Sequence, residues 1–386
     1  MLVEPLDFGR QEGLVKSFRK FKTMLWSTEA AKKFAAVLQE FKPDVIHIHN
    51  IYHHLSPSIL AVAKRHKIPV VQTLHDYKWI CPNYKLFTQG AICQRCRRYR
   101  YWNAVTHKCL QDSLVASGAA AGEMWWHRLS RVYEKGVARF ITPSDFLRET
   151  LIKWGKDKNK IVTLHNFIKI PLVPPFTKGE AVGSLPQDVL SLSQRERQRG
   201  ILSKGELERN FILFAGRLAE EKGIDLLLQI AQALPEIKFK IAGQKIGNWK
   251  LEIGNLDNVE WLGFKKKEAL QELIVKARLV VAPSLWHENY PMSVLEAQAA
   301  GKAVLASASG GIPEMIKDGE TGFLVNLRNY EIQPSLWVAK IKEIYDNETL
   351  LKKVGAAARE QVTENNDPEE HYRKIMEIYR HVTGAM

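Results

Sequence analysis

Ten short apolar runs, most of them rich in Val and Ile, alternate along this 386-residue chain with longer stretches of helical period. That alternation restricts the fold more than any other feature. The first half offers "DVIHIH" (44–49), "PVVQTLH" (69–75), "ARFITPS" (138–144) and "KIVTLHN" (160–166). The second offers "NFILFAG" (210–216), "IKFKIAG" (237–243), "VEWLGF" (259–264), "RLVVAPS" (278–284), "KAVLAS" (302–307) and "TGFLV" (321–325). Near-continuous runs of this kind fit parallel strands covered on both faces, joined by crossover helices. One such helix is expected over 28–41, where Ala31, Phe34, Leu38 and Phe41 recur at helical spacing. Others are expected over 333–346, 348–363 and 367–383, with Pro368 near the start of the last. The length exceeds one ordinary core, so two doubly wound α/β domains are expected, 1–170 and 210–366. Residues 171–209, dense in Pro, Gly and charge, read as a linker or insertion, and the closing helix (367–386) as packing back on the first domain.

The formal net charge of +14 is unevenly distributed. Residues 1–170 carry 28 Lys and Arg against 13 Asp and Glu, whereas residues 171–386 carry 28 against 29. A basic excess confined to one half suggests an anionic partner: nucleic acid, acidic lipid headgroups or a phosphorylated substrate. A merely solvated basic face is the plainer reading. No apolar run reaches the roughly 18–20 residues that cross a bilayer. The opening "MLVEPLDFGRQEG" lacks the basic start and apolar middle of a secretory signal, so the cytoplasm is the expected compartment.

Three loops in the second half carry ligand-type chemistry. "FAGRLAEEKGIDLLL" (214–228) runs from strand through turn to helix, with Arg217 and Lys222 in the turn between Gly216 and Gly223. Such loops are where open α/β sheets bind ligands, and two cations there suit a diphosphate on which charge develops as a bond breaks. "HENYPMSVLEAQAAG" (287–301) places Glu288 in a loop and Glu296 inside the next helix. A carboxylate accepts two hydroxyl hydrogen bonds at once and so suits vicinal diols. A third loop, "SASGGIPEMI" (307–316), sets Gly310 and Gly311 between strand and helix. Each alone reads equally well as a solvated turn or a dipole-stabilised helix start; three within one domain point to a ligand site.

Taken together, Glu-x7-Glu at 288 and 296, "GRLAEEKGID", "IAGQ" and "SGGIPE" resemble the donor half of a retaining GT-B glycosyltransferase of family 4 type. "KPDVIHIHN", "LSPSIL", "VVQTLHDYKWICPN", "TPSDFLRE" and "LHNFI" resemble the same family's other half. The resemblance implies two Rossmann-like domains facing a cleft and a UDP- or GDP-linked sugar donor. It implies that Arg217 and Lys222 bind the donor diphosphate, that Glu296 holds the ribose, and that Glu288 holds sugar hydroxyls. Backbone groups from Asn289 through Tyr290 and Pro291 to Met292 would complete that contact, with His75 reaching the donor sugar and Asp76 beside it. It implies retention of anomeric configuration, no catalytic metal, and a lipid-linked or glycan acceptor in cell-surface glycan assembly. The family opens with a strand and a Gly-rich loop ahead of "KPDVIHIHN". Gly9 and Gly13 follow no strand-like run, so an incomplete amino-terminal domain is expected. A noncatalytic nucleotide-sugar-binding relic and a nucleotide-sugar epimerase are the rival readings.

Four cysteines, the chain's whole complement, cluster as Cys81-x11-Cys93-x2-Cys96-x12-Cys109. In a cytoplasmic protein a structural zinc site is favoured over unliganded thiols and over disulfides. "RCRRYRYW" (95–102), Trp125, Trp126 and "VKSFRKFKTMLW" (15–26) interleave cations with aromatic rings. That mixture suits an anionic membrane surface and also stacked nucleic-acid bases. The sugar-transfer motifs favour a peripheral protein at the inner face of the membrane, with no nucleic acid bound. A zinc-ribbon nucleic-acid-binding protein is the rival from another class, and it leaves Arg217, Lys222, Glu288 and Glu296 unexplained.

Overall fold

The protein's structure is a computed structural model that describes residues 21–52, 55–169, 210–245, 256–326 and 333–385. Gly9, Gly13 and the linker 171–209 lie outside the described residues. The chain divides into two units, one running to Asn166 and resuming at Glu369, the other spanning Phe167–Pro368.

The amino-terminal unit is built on four parallel strands, β1 (Ile46–Ile48), β2 (Val70–Thr73), and, after the hairpin strands β3 (Phe87–Thr88) and β4 (Ala91–Ile92), β5 (Arg139–Thr142) and β6 (Ile161–Thr163). Their order is β1-β2-β5-β6, so the sheet grows in one direction only. The expected helix forms over Thr28–Phe41, with the Ser27 hydroxyl accepting from Ala30 N–H at 3.1 Å. Ala30 and Leu38 are buried, and Ala31 and Phe34 pack partly against the core. Phe41 does not join them: it is 77% exposed, at the last helical residue before the chain leaves through a left-handed Lys42. Helix Pro368–Thr383 belongs to this unit, where Ile375, Ile378, Tyr379 and Val382 pack against buried Val71, Ile141 and Leu164.

Residues 77–136, between β2 and β5, hold structure that periodicity did not reveal. Here lie the two-residue hairpin strands and the helices Trp102–Thr106, Leu114–Ser130 and Val132–Gly136. Helix Leu114–Ser130 is anchored by a buried ion pair, Lys78 Nζ to Glu123 Oε2 at 2.6 Å.

The second unit carries six parallel strands: β7 (Phe211–Ala215), β8 (Lys238–Ala242), β9 (Val259–Gly263), β10 (Leu279–Ala282), β11 (Val304–Ser307) and β12 (Phe323–Val325). Their spatial order is β12-β11-β10-β7-β8-β9. The chain therefore winds outward from β7 to β9, returns to the far side of β7, and winds outward again to β12. β7 and β10 are neighbours in register, Ile212 opposite Leu279 and Phe214 opposite Val281. The direction of winding reverses between them, and beyond the carboxyl ends of two such strands an open sheet leaves a crevice.

Candidate active site

The loops that leave β7 and β10 meet at this reversal. After β7, Gly216 and the exposed Arg217 lead into a single 3-10 turn, Glu220–Lys222, and then helix Ile224–Ala233. After β10, Pro283 to Pro291 lead into helix Met292–Ala299. The Leu285 N–H donates to the Glu221 carbonyl at 2.9 Å and ties one loop to the other. Gly223 makes the close approach possible, because a Cβ there would lie 1.9 Å from the Pro283 carbonyl oxygen, and its φ of 73° suits glycine.

This geometry joins two residues that are far apart in sequence. Lys222 Nζ lies 2.6 Å from Glu288 Oε1, and the Ser284 hydroxyl donates to the same oxygen at 2.6 Å. The ammonium also stands 5.4 Å from the centre of the Trp286 ring. Burial pushes the Glu288 carboxyl up, but the Lys222 charge and the hydrogen bonds from Lys222 and Ser284 outweigh it and hold the group below its ordinary value. Arg217, by contrast, pairs with no carboxylate among the described residues and stands in solvent. One cation of the loop is thus paired with a buried carboxylate, while the other has no such partner.

The third loop closes on the second. Gly311 N–H donates to the Glu288 carbonyl at 2.6 Å. At Gly310, with φ of 65°, a Cβ would come within 2.1 Å of that same oxygen. His287 Nδ1 lies 3.1 Å from the Ser309 hydroxyl, which donates to the Trp286 carbonyl at 3.0 Å. Burial pushes His287 down to about 4, so its ring is neutral at physiological pH.

Helix Met292–Ala299 starts with Pro291 as its cap, leaving the first N–H groups without helical acceptors. Glu296 lies about one turn in, half-buried, its carboxyl pushed up by burial and partly restored by Lys267. Asn289 is buried, and the Tyr290 hydroxyl accepts from Asn366 Nδ2 at 2.9 Å, so this tyrosine side chain is anchored within the unit. Met292 is exposed at the helix start.

His75 belongs to the other unit. It follows β2, as His49 follows β1, and because those strands are adjacent the two rings stack, His49 Nδ1 lying 2.7 Å from His75 Nε2. His47 stacks on His49 and bonds to Tyr379 at 2.6 Å and Thr73 at 2.8 Å. Burial and the neighbouring His49, His75 and His371 push His47 down to about 4. The adjacent Asp76 accepts from the Lys78 N–H at 2.9 Å. Sequence reasoning passed over His49, Ser284 and Ser309. "HIH" running off the end of β1, read beside "TLH" running off the end of β2, was the available signal for the histidine pair.

Residues 195–361 match the family described as glycosyl transferases group 1, and residues 7–170 match glycosyltransferase family 4. The chain is 26% identical over 294 residues to an uncharacterized 42.6 kDa protein in the cps region of Klebsiella pneumoniae, covering 75% of this chain and 64% of that one. It is 26% identical over 360 residues to the sulfoquinovosyl transferase of Arabidopsis thaliana, covering 88% and 57%. It thus spans less than two thirds of the length of either relative. Among solved structures, that of Anabaena HepE in complex with UDP and glucose is similar with a TM-score of 0.59 and 18% identity, covering 90% of this chain and 80% of that one. At that identity the likeness is one of fold, the GT-B glycosyltransferase fold. With a family match in each half, the chain belongs to the group 1 and family 4 glycosyltransferases.

Proposed function

We propose that this chain transfers a hexosyl group from a nucleotide-sugar donor, UDP- or GDP-linked, to a lipid-linked or glycan acceptor with retention of anomeric configuration. The observation that carries the reading is the arrangement at the winding reversal, where Arg217, Lys222, Glu288 and the start of helix Met292–Ala299 share the carboxyl end of one sheet. In the reaction the bond from the sugar's anomeric carbon to the diphosphate oxygen breaks, a bond to the acceptor oxygen forms, and the acceptor proton leaves with the diphosphate. Arg217 is free to meet the diphosphate directly. Lys222 adds charge there while orienting Glu288, whose second oxygen faces the sugar hydroxyls. Glu296 holds the ribose, and the N–H groups at the start of its helix, from Met292 on, complete the contact with backbone donors. Gly310 and Gly311 keep the third loop close against Glu288. Within the amino-terminal unit, His75 is steadied by His49. No residue is assigned as nucleophile, and no catalytic metal is invoked because two cations take that electrostatic role.

HepE was solved with UDP and glucose, which supports a nucleotide-sugar donor. No helix among the described residues is long and apolar enough to cross a membrane. Access to a lipid-linked acceptor is assigned to the basic, aromatic face of the amino-terminal unit. Arg95, Arg97, Arg98 and Arg100 are exposed, as are Trp102, Trp126 and Leu129 of the same unit, a mixture suited to anionic headgroups. The test is to incubate the purified chain with UDP- and GDP-sugars, with and without membrane lipid extract, and follow nucleotide release and glycolipid formation. Donor-dependent labelling of lipid supports the proposal. Absence of both release and labelling with every donor overturns it in favour of a binding relic, and interconversion of donor sugars would favour an epimerase.

A further inference from the structure

We propose that Cys81, Cys93, Cys96 and Cys109 form a structural zinc site that organises the segment following His75. The proposal stands on the fold of the amino-terminal unit alone and does not depend on the reaction assigned above.

The chain's four cysteines all line one small cavity of about 10 Å³, together with Asn83, Leu86 and Ala104. That is about the room one water or one ion occupies. They arrive there from three separate pieces of backbone. Cys81 sits in the turn after β2, its N–H donating to the Tyr77 carbonyl at 2.8 Å. Cys93 and Cys96 bracket the turn that leaves hairpin strand β4, with the Cys93 N–H donating to Leu86 at 2.7 Å. Cys109 lies in the turn after helix Trp102–Thr106, its N–H donating to the Ala104 carbonyl at 2.9 Å. A hairpin with a Cys-x2-Cys knuckle, closed by two outlying thiols, provides a tetrahedral S4 donor set, which selects zinc among abundant divalent ions.

A second observation, independent of the thiols, is the state of the backbone around them. Among the described residues twelve non-glycine residues have positive φ, and eight of these fall between Tyr84 and Asp112. Each such conformation costs on the order of 1–2 kcal/mol and persists only where surroundings enforce it. Regular structure there is scant: two strands of two residues each, a single 3-10 turn and a five-residue helix. The local apolar cluster is also small, with Cys96, Tyr101, Ala104, Ala121 and Met124 as its buried members. A segment with this much unfavourable backbone and so little core calls for a cross-link, and none of the four cysteines forms a disulfide.

Among the described residues no three of the sulfurs stand within 4.8 Å of one another, against roughly 3.8 Å between sulfurs on a tetrahedral zinc. Zinc therefore draws the side chains inward, and Cys81 gives up the hydrogen bond its thiol now donates to Asn83 Oδ1 at 2.9 Å. Four thiols release four protons, so the divalent ion with four thiolates carries two net negative charges. Arg95, whose Nη1 lies 3.9 Å from Cys93 Sγ, is placed to offset one of them.

The test uses the full chain, expressed with supplemental zinc and purified under reducing conditions. About one zinc per chain is expected, with thiols that react with a chromogenic disulfide only after chelation, and a lower melting temperature once the metal is removed. Replacement of zinc by cobalt should give the strong visible bands of a tetrahedral thiolate complex. Cys93→Ser should bind less than a tenth as much cobalt at equal free metal. If that variant fails to fold, the cobalt spectrum of the unaltered chain still decides. Four thiols that react at once in metal-poor protein overturn the proposal, as do disulfides that survive reductive purification, or an octahedral cobalt spectrum.

Discussion

Lys222 and Glu288 show why the site could be half read from the sequence. Each was visible as a polar residue following a strand, but their 2.6 Å contact depends on β7 and β10 being neighbours across a reversal that no local pattern encodes. The same contact separates the two cations experimentally. Arg217→Ala should lower turnover by a factor on the order of 10²–10³, as for loss of a transition-state donor, and leave stability unchanged. Lys222→Ala should do both kinds of damage, because it strands a buried carboxylate at a cost of about 3–5 kcal/mol. Steady-state kinetics and urea unfolding of both variants check this split. Glu296→Ala should mainly weaken nucleotide affinity, since the ribose is remote from the reacting bond. Ser284 was illegible for a different reason: a serine ending a strand carries no spacing signal, and only the loop's path brings it to Glu288.

At the scale of elements, all ten apolar runs contain strands, because a parallel sheet covered on both faces imposes a long apolar signature, with edge strand β9, where Glu260 and Trp261 are exposed, the departure from it. Segment 77–136 escaped because its helix Leu114–Ser130 is rich in Ala, with Trp125, Trp126 and Leu129 exposed, and so shows no clean apolar stripe. What fixes that helix is polar. Lys78 and Glu123 are almost fully enclosed, and Lys78 Nζ also reaches the Pro82 carbonyl at 3.4 Å. Glu123→Ala should therefore cost about 3–5 kcal/mol by leaving a buried ammonium without its partner. The double replacement Lys78→Met/Glu123→Leu should cost much less, and chemical unfolding of the pair measures the difference. A double variant as unstable as the single one would contradict the account.

For the whole molecule, charge and protonation set the working conditions. His47 and His287 are each held near 4, below the ordinary 6.5, by burial first and, for His47, by neighbouring histidines. As pH falls, the unfolded chain takes up protons at these positions before the folded one. Their contribution to stability is therefore complete above about pH 6.5 and declines toward pH 4. Glu288, held below 4.5, adds a loss with the same sign at lower pH. Melting temperature should fall progressively between pH 6.5 and 4, and the fall should be shallower in His47→Asn. The basic excess of the first half makes a separate prediction. The chain should sediment with vesicles containing anionic lipid, release as salt rises, and lose that binding when Arg95, Arg97, Arg98 and Arg100 are neutralised, each cation contributing about 1 kcal/mol. Equal binding to neutral vesicles would remove the membrane assignment and leave the donor site untouched.

The claim on which the rest depends is that Arg217 and Lys222 receive a nucleotide diphosphate. Calorimetric titration of UDP and GDP into the unaltered chain and into Arg217→Ala/Lys222→Met tests it most directly. One nucleotide should bind per chain, and the double variant should bind at least about tenfold more weakly, since each charge-assisted hydrogen bond contributes about 1.5–3 kcal/mol. Equal affinity in the two proteins, with the variant shown to be folded, would contradict the account.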